Sequence, residues 1–295
     1  MIMRRSAVLL AGAAAVGLAL TGCGKEGSPS GGNSVTVSAS AGVAVAGSPT
    51  FDRIKSRGKV IVGVKEDQPN LGFKDPTTNT YSGFDVDIAR LVAAGLGFGQ
   101  DKIEYKAIPS ANREQAISNG DIDYYVGTYS ITDKRKEKIS FAGPYFIAGQ
   151  DLLVRKDDTA ITGPDALDGK KVCSATGSTS IQRIRDKYPK AQTVEFEKYS
   201  QCVEQLLSQQ VDAITTDDAI LKGYAAQQPE QMKVVGKPFS EEKYGIGLPK
   251  DDKALRDKVN DIVQGAMDDG TWQKIYDATL GKSGSPANKP TLERY

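Results

Sequence analysis

Between positions 59 and 280 the chain alternates short β-branched runs with stretches whose apolar residues recur at helical spacing. Strands are expected over 59–64, 103–108, 122–126, 170–175, 193–196, 211–215 and 244–248. Helices are expected over 85–96, 112–118, 177–187, 200–210, 219–226, 253–268 and 271–280, with Asp85 as a cap for the first of these. Parallel strands need long crossover connections, so strand–helix alternation predicts α/β lobes rich in parallel sheet. Ile88, Leu91, Val92 and Leu96 form one apolar helix face, and Trp272, Ile275, Tyr276 and Leu280 form another; both read as core. The body over 51–281 is long enough for two modest lobes with separate cores.

What precedes the body is of another kind. Met1-Ile2-Met3-Arg4-Arg5 is followed by an apolar run over 7–20 and then by Leu20-Thr21-Gly22-Cys23. A basic start with a short apolar run reads as a secretory leader over 1–22, too short to span a membrane. The last four residues look like a bacterial lipobox, with Cys23 as the lipidated residue; an ordinary leader with an incidental cysteine is the alternative. Two acyl chains on Cys23 would anchor the chain stably at a membrane surface, outside the cytoplasm. Residues 24–49 are mostly Gly, Ser, Ala, Val and Thr, which predicts a flexible tether over 23–50 with a reach on the order of 30 Å. The tail over 282–295 is similarly polar and is expected to be loose.

Composition excludes several classes. Lys and Arg number 38 against 37 Asp and Glu, which leaves no basic footprint for nucleic acid. The absence of histidine removes Ser–His and Cys–His catalysis and any His-ligated metal site. Neither cofactor nor metal is expected. With Cys23 set aside, Cys173 and Cys202 remain; in an exported chain an even remainder reads as a disulfide, two buried free thiols being the alternative.

The chemistry concentrates after the strand over 122–126, in Gly127-Thr128-Tyr129-Ser130-Ile131-Thr132-Asp133-Lys134-Arg135. Thr132 suits the N-cap of a short helix reaching Lys138, with Arg135 in its first turn. A guanidinium, hydroxyls and unpaired amides together suit a carboxylate, because the planar fork of Arg meets both oxygens. A second cluster, Gly177-Ser178-Thr179-Ser180, opens a helix and offers amides and hydroxyls to an anion. A third, Thr216-Asp217-Asp218, ends a strand, where open α/β sheets bind their ligands. Each has a plain alternative: a solvated helix end, a simple cap, or a cap again.

The first cluster, closed by Phe141-Ala142-Gly143-Pro144-Tyr145-Phe146, resembles the signature of the family 3 extracellular solute-binding proteins, the amino-acid receptors of ABC importers. The resemblance extends over 51–281 and includes Gly83-Phe84-Asp85-Val86-Asp87-Ile88-Ala89, Gly177-Ser178-Thr179, Val211-Asp212-Ala213 with Asp217, and Gly270-Thr271-Trp272. It implies a two-lobed periplasmic-binding-protein-like (type II) α/β fold, with two crossover strands and a ligand cleft between the lobes. Lobe 1 would comprise 51–149 and 245–281, and lobe 2 would comprise 150–244. It also implies that Thr128, the Tyr129 backbone, Ser130 and Arg135 meet the ligand from lobe 1. Thr179, with Ser178 beside it, would meet the α-carboxylate from lobe 2, and Asp217 the α-ammonium. Each lobe would then hold part of a zwitterion, and closure would follow from ligand affinity for the closed form.

In glutamate- and aspartate-binding members, a basic residue after the first strand and an Asn-Arg pair hold the side-chain carboxylate; here these positions are Lys65 and Asn112-Arg113. Two cations beyond the zwitterion's needs suit an acidic ligand, unless Lys65 pairs with Glu66 or Asp67 and Arg113 with Glu114 at the surface. Many binders of neutral and basic amino acids place an aromatic residue near position 70, where this chain has Asn70. A cationic ligand prefers an aromatic face, so this argues against one. The expectation is therefore a monomeric, non-enzymatic receptor that delivers glutamate or aspartate to a permease and its ATPase. Glutamine or asparagine is the alternative ligand. An enzyme resembling cyclohexadienyl dehydratases is a weaker alternative, since it needs a general acid in the cleft.

Overall fold

The computed structural model describes residues 35–287 and 289–295. The first half of the body runs through α1 (Pro49–Arg57), β1 (Val60–Val64), β2 (Asp67–Gln68), β3 (Gly72–Lys74), β4 (Tyr81–Ser82) and α2 (Phe84–Gly95). It continues through β5 (Ile103–Ala107), α3 (Arg113–Ser118), β6 (Tyr124–Tyr125), α4 (Asp133–Lys136) and β7 (Ser140–Ala148). Next come β8 (Gln150–Arg155), β9 (Lys171–Ala175), α5 (Thr179–Lys187), β10 (Gln192–Phe196), α6 (Tyr199–Leu207) and β11 (Ala213–Asp217). The chain ends with α7 (Asp218–Gln227), β12 (Met232–Val234), β13 (Glu242–Leu248), α8 (Lys253–Asp268) and α9 (Thr271–Ala278).

Two five-stranded sheets carry the fold, ordered β5-β1-β6-β13-β7 and β10-β9-β11-β8-β12. Strands that feed a helix pair in parallel: β1 with β5 and β6, and β9 with β10 and β11. The strands that carry the chain between sheets are the antiparallel ones, β13 on β7 and β8 on β11. The chain leaves the first sheet at Gly149 and returns with β13, which begins at Glu242, ahead of the expected position 245. A small sheet, β2-β3-β4, lies on the first lobe.

The first lobe packs around Phe84, whose ring meets Phe146 at 5.5 Å and Trp272 at 5.8 Å, edge to face. Trp272 stacks on Tyr276 and donates its indole N–H to the Tyr145 carbonyl at 2.8 Å, so its face is packing. In the second lobe, Cys173 on β9 and Cys202 on α6 form a disulfide with Cα atoms 5.7 Å apart.

Three expectations need correction. Residues 35–48 are not free tether: Val35, Val37 and Val43 pack against the first lobe's core and Val45 is buried. The Ser40 amide bonds the Ala94 carbonyl at 2.9 Å, and Ser48 both caps α1 and donates to Asp252 at 2.8 Å. The spaced valines supply an apolar stripe that the small-residue composition concealed. Cys23, the leader over 1–22 and the start of the tether lie outside the described residues. The tail is docked rather than loose, because Glu293 donates its amide to Gly143 at 2.8 Å and Tyr295 accepts the Phe141 amide at 2.8 Å. Asp85 does not cap α2; Gly83 does so without a side chain, and Asp85 sits inside the first turn with its buried carboxylate on the Thr128 amide and the Tyr145 hydroxyl.

Candidate functional site

The site grows from the carboxyl end of β6. Thr128 adopts φ +44, an uncommon conformation for a residue other than glycine, and two buried side chains hold it there. Asp85 accepts the Thr128 amide at 2.9 Å and the Tyr145 hydroxyl at 2.7 Å. Gln68 exchanges a hydrogen bond of 3.2 Å with the Thr128 hydroxyl. Burial pushes the Asp85 carboxyl up to about 6 even though both bonds favour its charged form.

Thr132 caps α4, accepting the Arg135 amide at 3.2 Å, which places Arg135 in the first turn as expected. The Arg135 guanidinium donates to the Ser130 carbonyl at 2.6 Å, to Glu114 at 3.2 Å and, across the lobe boundary, to the Gly177 carbonyl at 3.2 Å. It is therefore a clasp between lobes as well as a cation at the cleft. Two guanidinium groups lie over the Tyr129 ring, Arg113 at 4.1 Å and Arg135 at 4.8 Å from its centroid, both in cation–π range. The Tyr129 carbonyl is committed to the Gly245 amide at 2.9 Å.

Arg113 opens α3 and is buried; its Nε donates to the Ser110 carbonyl at 3.0 Å. Among the described residues it has no ion pair, whereas Glu114 pairs with Arg135. Lys65, at the end of β1, is buried and donates to the Ser110 hydroxyl at 2.8 Å. Burial, with Arg113 adding to it, brings the Lys65 ammonium down to about 7. Neither Glu66 nor Asp67 forms an ion pair with it, although Asp67 and Glu197 lie near enough to favour its charged form: Glu66 pairs with Lys198 at 2.5 Å, and Asp67 accepts the Ser200 amide at 3.2 Å.

The second lobe contributes the amino end of α5 and the carboxyl end of β11. Ser178 caps α5 by accepting the Ile181 amide at 3.1 Å, and its hydroxyl also meets Ser174 at 3.2 Å. Thr179 reaches across to the Ser130 hydroxyl at 3.4 Å and donates to Glu242 at 3.1 Å. Asp217 is buried; one oxygen accepts the Tyr244 hydroxyl at 2.7 Å, and the other has no partner among the described residues. Burial first, then the nearby Glu242, pushes its carboxyl up to about 8.

The structure thus brings Thr128, Ser130, Arg135, Thr179 and Asp217 to one interlobe seam, with Arg113 and Lys65 farther along it. Sequence reasoning missed Gln68, Tyr199, Tyr244 and Glu242. Tyr199, buried with its hydroxyl pushed up to about 12 by burial and by Asp217, gave no local signal because it opens α6 in a plain amphipathic pattern. Glu242 gave a faint one, a carboxylate at the start of an apolar return strand. It accepts Arg183 at 2.5 Å, which also donates to Gln150 at 2.8 Å, so one guanidinium ties both crossover strands together.

A model of the bacterial extracellular solute-binding proteins, family 3, matches residues 60–282. Glutamate-binding protein GluB of Corynebacterium glutamicum is 39% identical over 288 residues, which is 94% of this chain and 91% of that protein. The glutamine-binding protein of Geobacillus stearothermophilus is 42% identical over 239 residues, 80% of this chain and 88% of that one. Among solved structures, an ancestral arginine-binding protein bound to glutamine gives a TM-score of 0.72 at 35% identity, covering 76% of this chain and 99% of its own.

Proposed function

The chain belongs to the family 3 extracellular solute-binding proteins of bacteria, and we propose that within this family it captures an acidic amino acid, glutamate ahead of aspartate. Capture is by closure of the two lobes, and the ligand passes to the permease of an ABC importer and its ATPase. The observation that carries the ligand class is Arg113, a buried cation without a carboxylate partner among the described residues, beside the equally buried Lys65. A buried charge is costly unless it is paired, so a site that keeps two such cations together favours an anion.

The zwitterionic end of the ligand is assigned to the other end of the seam. Asp217, with one buried oxygen unpartnered, takes the α-ammonium; Thr128, Ser130, Thr179 and Arg135 take the α-carboxylate, with Ser178 holding α5 in place. Arg135 must then trade its bond to the Gly177 carbonyl, or share it, when a carboxylate arrives. Calorimetric titration of the protein against glutamate, aspartate, glutamine, asparagine and arginine tests this reading. Tight binding confined to the first two supports it, and binding of arginine alone refutes it. A preference for glutamine is the second reading, favoured by the similarity to the Geobacillus glutamine-binding protein.

Outside the cleft, we read Cys23 as the lipidated residue that holds a monomeric receptor at the outer face of the cell membrane. The Cys23→Ala protein should then appear in the medium and take up no labelled fatty acid. Retention at the membrane would remove the anchor from this account.

A further inference from the structure

The interlobe seam opens to solvent beside Arg135 as a groove of about 420 Å³. One wall is α4 with the residues after it, the other is α5, so the two walls belong to different lobes. Its lining carries the cations Lys134, Arg135, Lys138, Arg183, Arg185 and Lys187. Against these stand Glu114 and Asp186 in the lining and Glu242 and Glu195 as ion-pair partners of Arg183 and Arg185, which leaves a local excess of two positive charges. The whole chain carries a net charge of only +1, so this excess is a local concentration and not a general property of the surface.

Three of the six cations are spoken for: Arg135 pairs with Glu114, Arg183 with Glu242 and Arg185 with Glu195. Lys134, Lys138 and Lys187 are exposed and make no ion pair among the described residues. The opposite polarity appears where the seam opens beside Lys65. That smaller mouth, about 80 Å³, is lined by Glu66, Asp67 and Glu197 together with Lys65 and Lys198. Three acids against two bases would repel an anion there.

We propose that the basic groove between α4 and α5 is the side on which an anionic amino acid approaches, with Lys134, Lys138 and Lys187 steering it toward Arg135. The proposal rests on the acidic-ligand reading above and adds a kinetic role for residues outside the binding set. Steering by a patch of one sign raises association rates and falls steeply with ionic strength, because screening shortens from about 30 Å at 0.01 M salt to about 8 Å at physiological salt. The acid-rich mouth beside Lys65 makes the approach one-sided. A ligand without net charge gains nothing from either mouth.

Stopped-flow association of glutamate with the wild-type protein and with K134Q/K138Q/K187Q, at low and high salt, tests the assignment. These side chains lie on exposed surface and make no hydrogen bond or ion pair with the residues assigned to the ligand, and the bond from the Lys138 amide to the Arg135 carbonyl is backbone and survives substitution, so the variant should fold and dissociate normally. The expected result is an association rate about five-fold lower in the variant at low salt, a difference that vanishes at 1 M salt, and an unchanged dissociation rate. Equal association rates at low salt would overturn the steering role while leaving equilibrium glutamate binding intact. Failure of the wild-type protein to bind glutamate at all would overturn the acidic-ligand reading, and the steering role with it.

Discussion

Two buried residues, Asp217 and Lys65, have their protons displaced in opposite directions. Asp217 holds its proton up to about 8 against an ordinary 3.8, through burial, Glu242 and Asp218, with Tyr244 and Arg113 opposing. The folded, ligand-free protein therefore keeps a proton that the unfolded chain has lost. Its contribution to stability is complete at low pH and declines as pH rises from about 4 to about 8. Asp217→Asn removes this decline, so urea unfolding of the ligand-free variant should show a gain over wild type at pH 8 and little difference near pH 4. If Asp217 holds the ligand ammonium as proposed, the same variant should bind ligand at least 100-fold more weakly. Lys65, brought down to about 7, behaves in the opposite sense. Glutamate binding should expel a proton from Asp217 and return one to Lys65, and near pH 7.5 the two nearly cancel. Calorimetry in buffers of differing ionisation enthalpy should then find almost no net proton exchange for wild type and a clear release for Lys65→Met. Identical exchange in both would separate Lys65 from the ligand.

Among the elements, α7 reports closure most cleanly. Gly223 lies in the middle of this second-lobe helix, and a Cβ built there would stand 2.5 Å from the Pro69 carbonyl oxygen of the first lobe. Alanine is favoured over glycine inside a helix by about 1 kcal/mol. Gly223→Ala should nevertheless cut glutamate affinity at least ten-fold, because the clash with Pro69 outweighs that helical gain and holds the lobes apart. Unchanged affinity would show that this contact is not needed in the bound state. The disulfide joins β9 to α6 across a separation of 29 residues, which the chain-entropy view values at roughly 3–4 kcal/mol. Replacing Cys173 and Cys202 with serine should lower second-lobe stability by about that amount and leave glutamate affinity within a few-fold. The strand–helix alternation was legible because each period reflects one buried face; α8 spans Lys253–Asp268, the range its pattern predicts. The two-residue strands β2 and β4 were not legible, since such short segments carry no period and are fixed by pairing with β3.

For the whole molecule, closure is a network of contacts between lobes rather than a single latch. Lys198 meets Glu66, Tyr224 donates to the Asp67 carbonyl at 2.5 Å, and Arg135 reaches the Gly177 carbonyl. None of these pairs was legible in the sequence, because their partners lie far apart along the chain and only the folded seam brings them together. The chemistry of the site was more legible: Arg135 follows the capping Thr132 in the first turn of α4 and Asp217 ends a strand, while Arg113 was singled out by resemblance and by counting cations. The packed residues 35–48 and the docked tail show where composition misled, since both lie along a lobe that supplies the apolar surface and backbone partners they lack by themselves. The most direct test of the central claim is calorimetric binding of glutamate and of glutamine to the wild-type protein and to Arg113→Met. The account predicts that the variant loses at least 100-fold in glutamate affinity and less than ten-fold in any affinity for glutamine, so the discrimination collapses. An Arg113→Met protein that still prefers glutamate as strongly as wild type would contradict it.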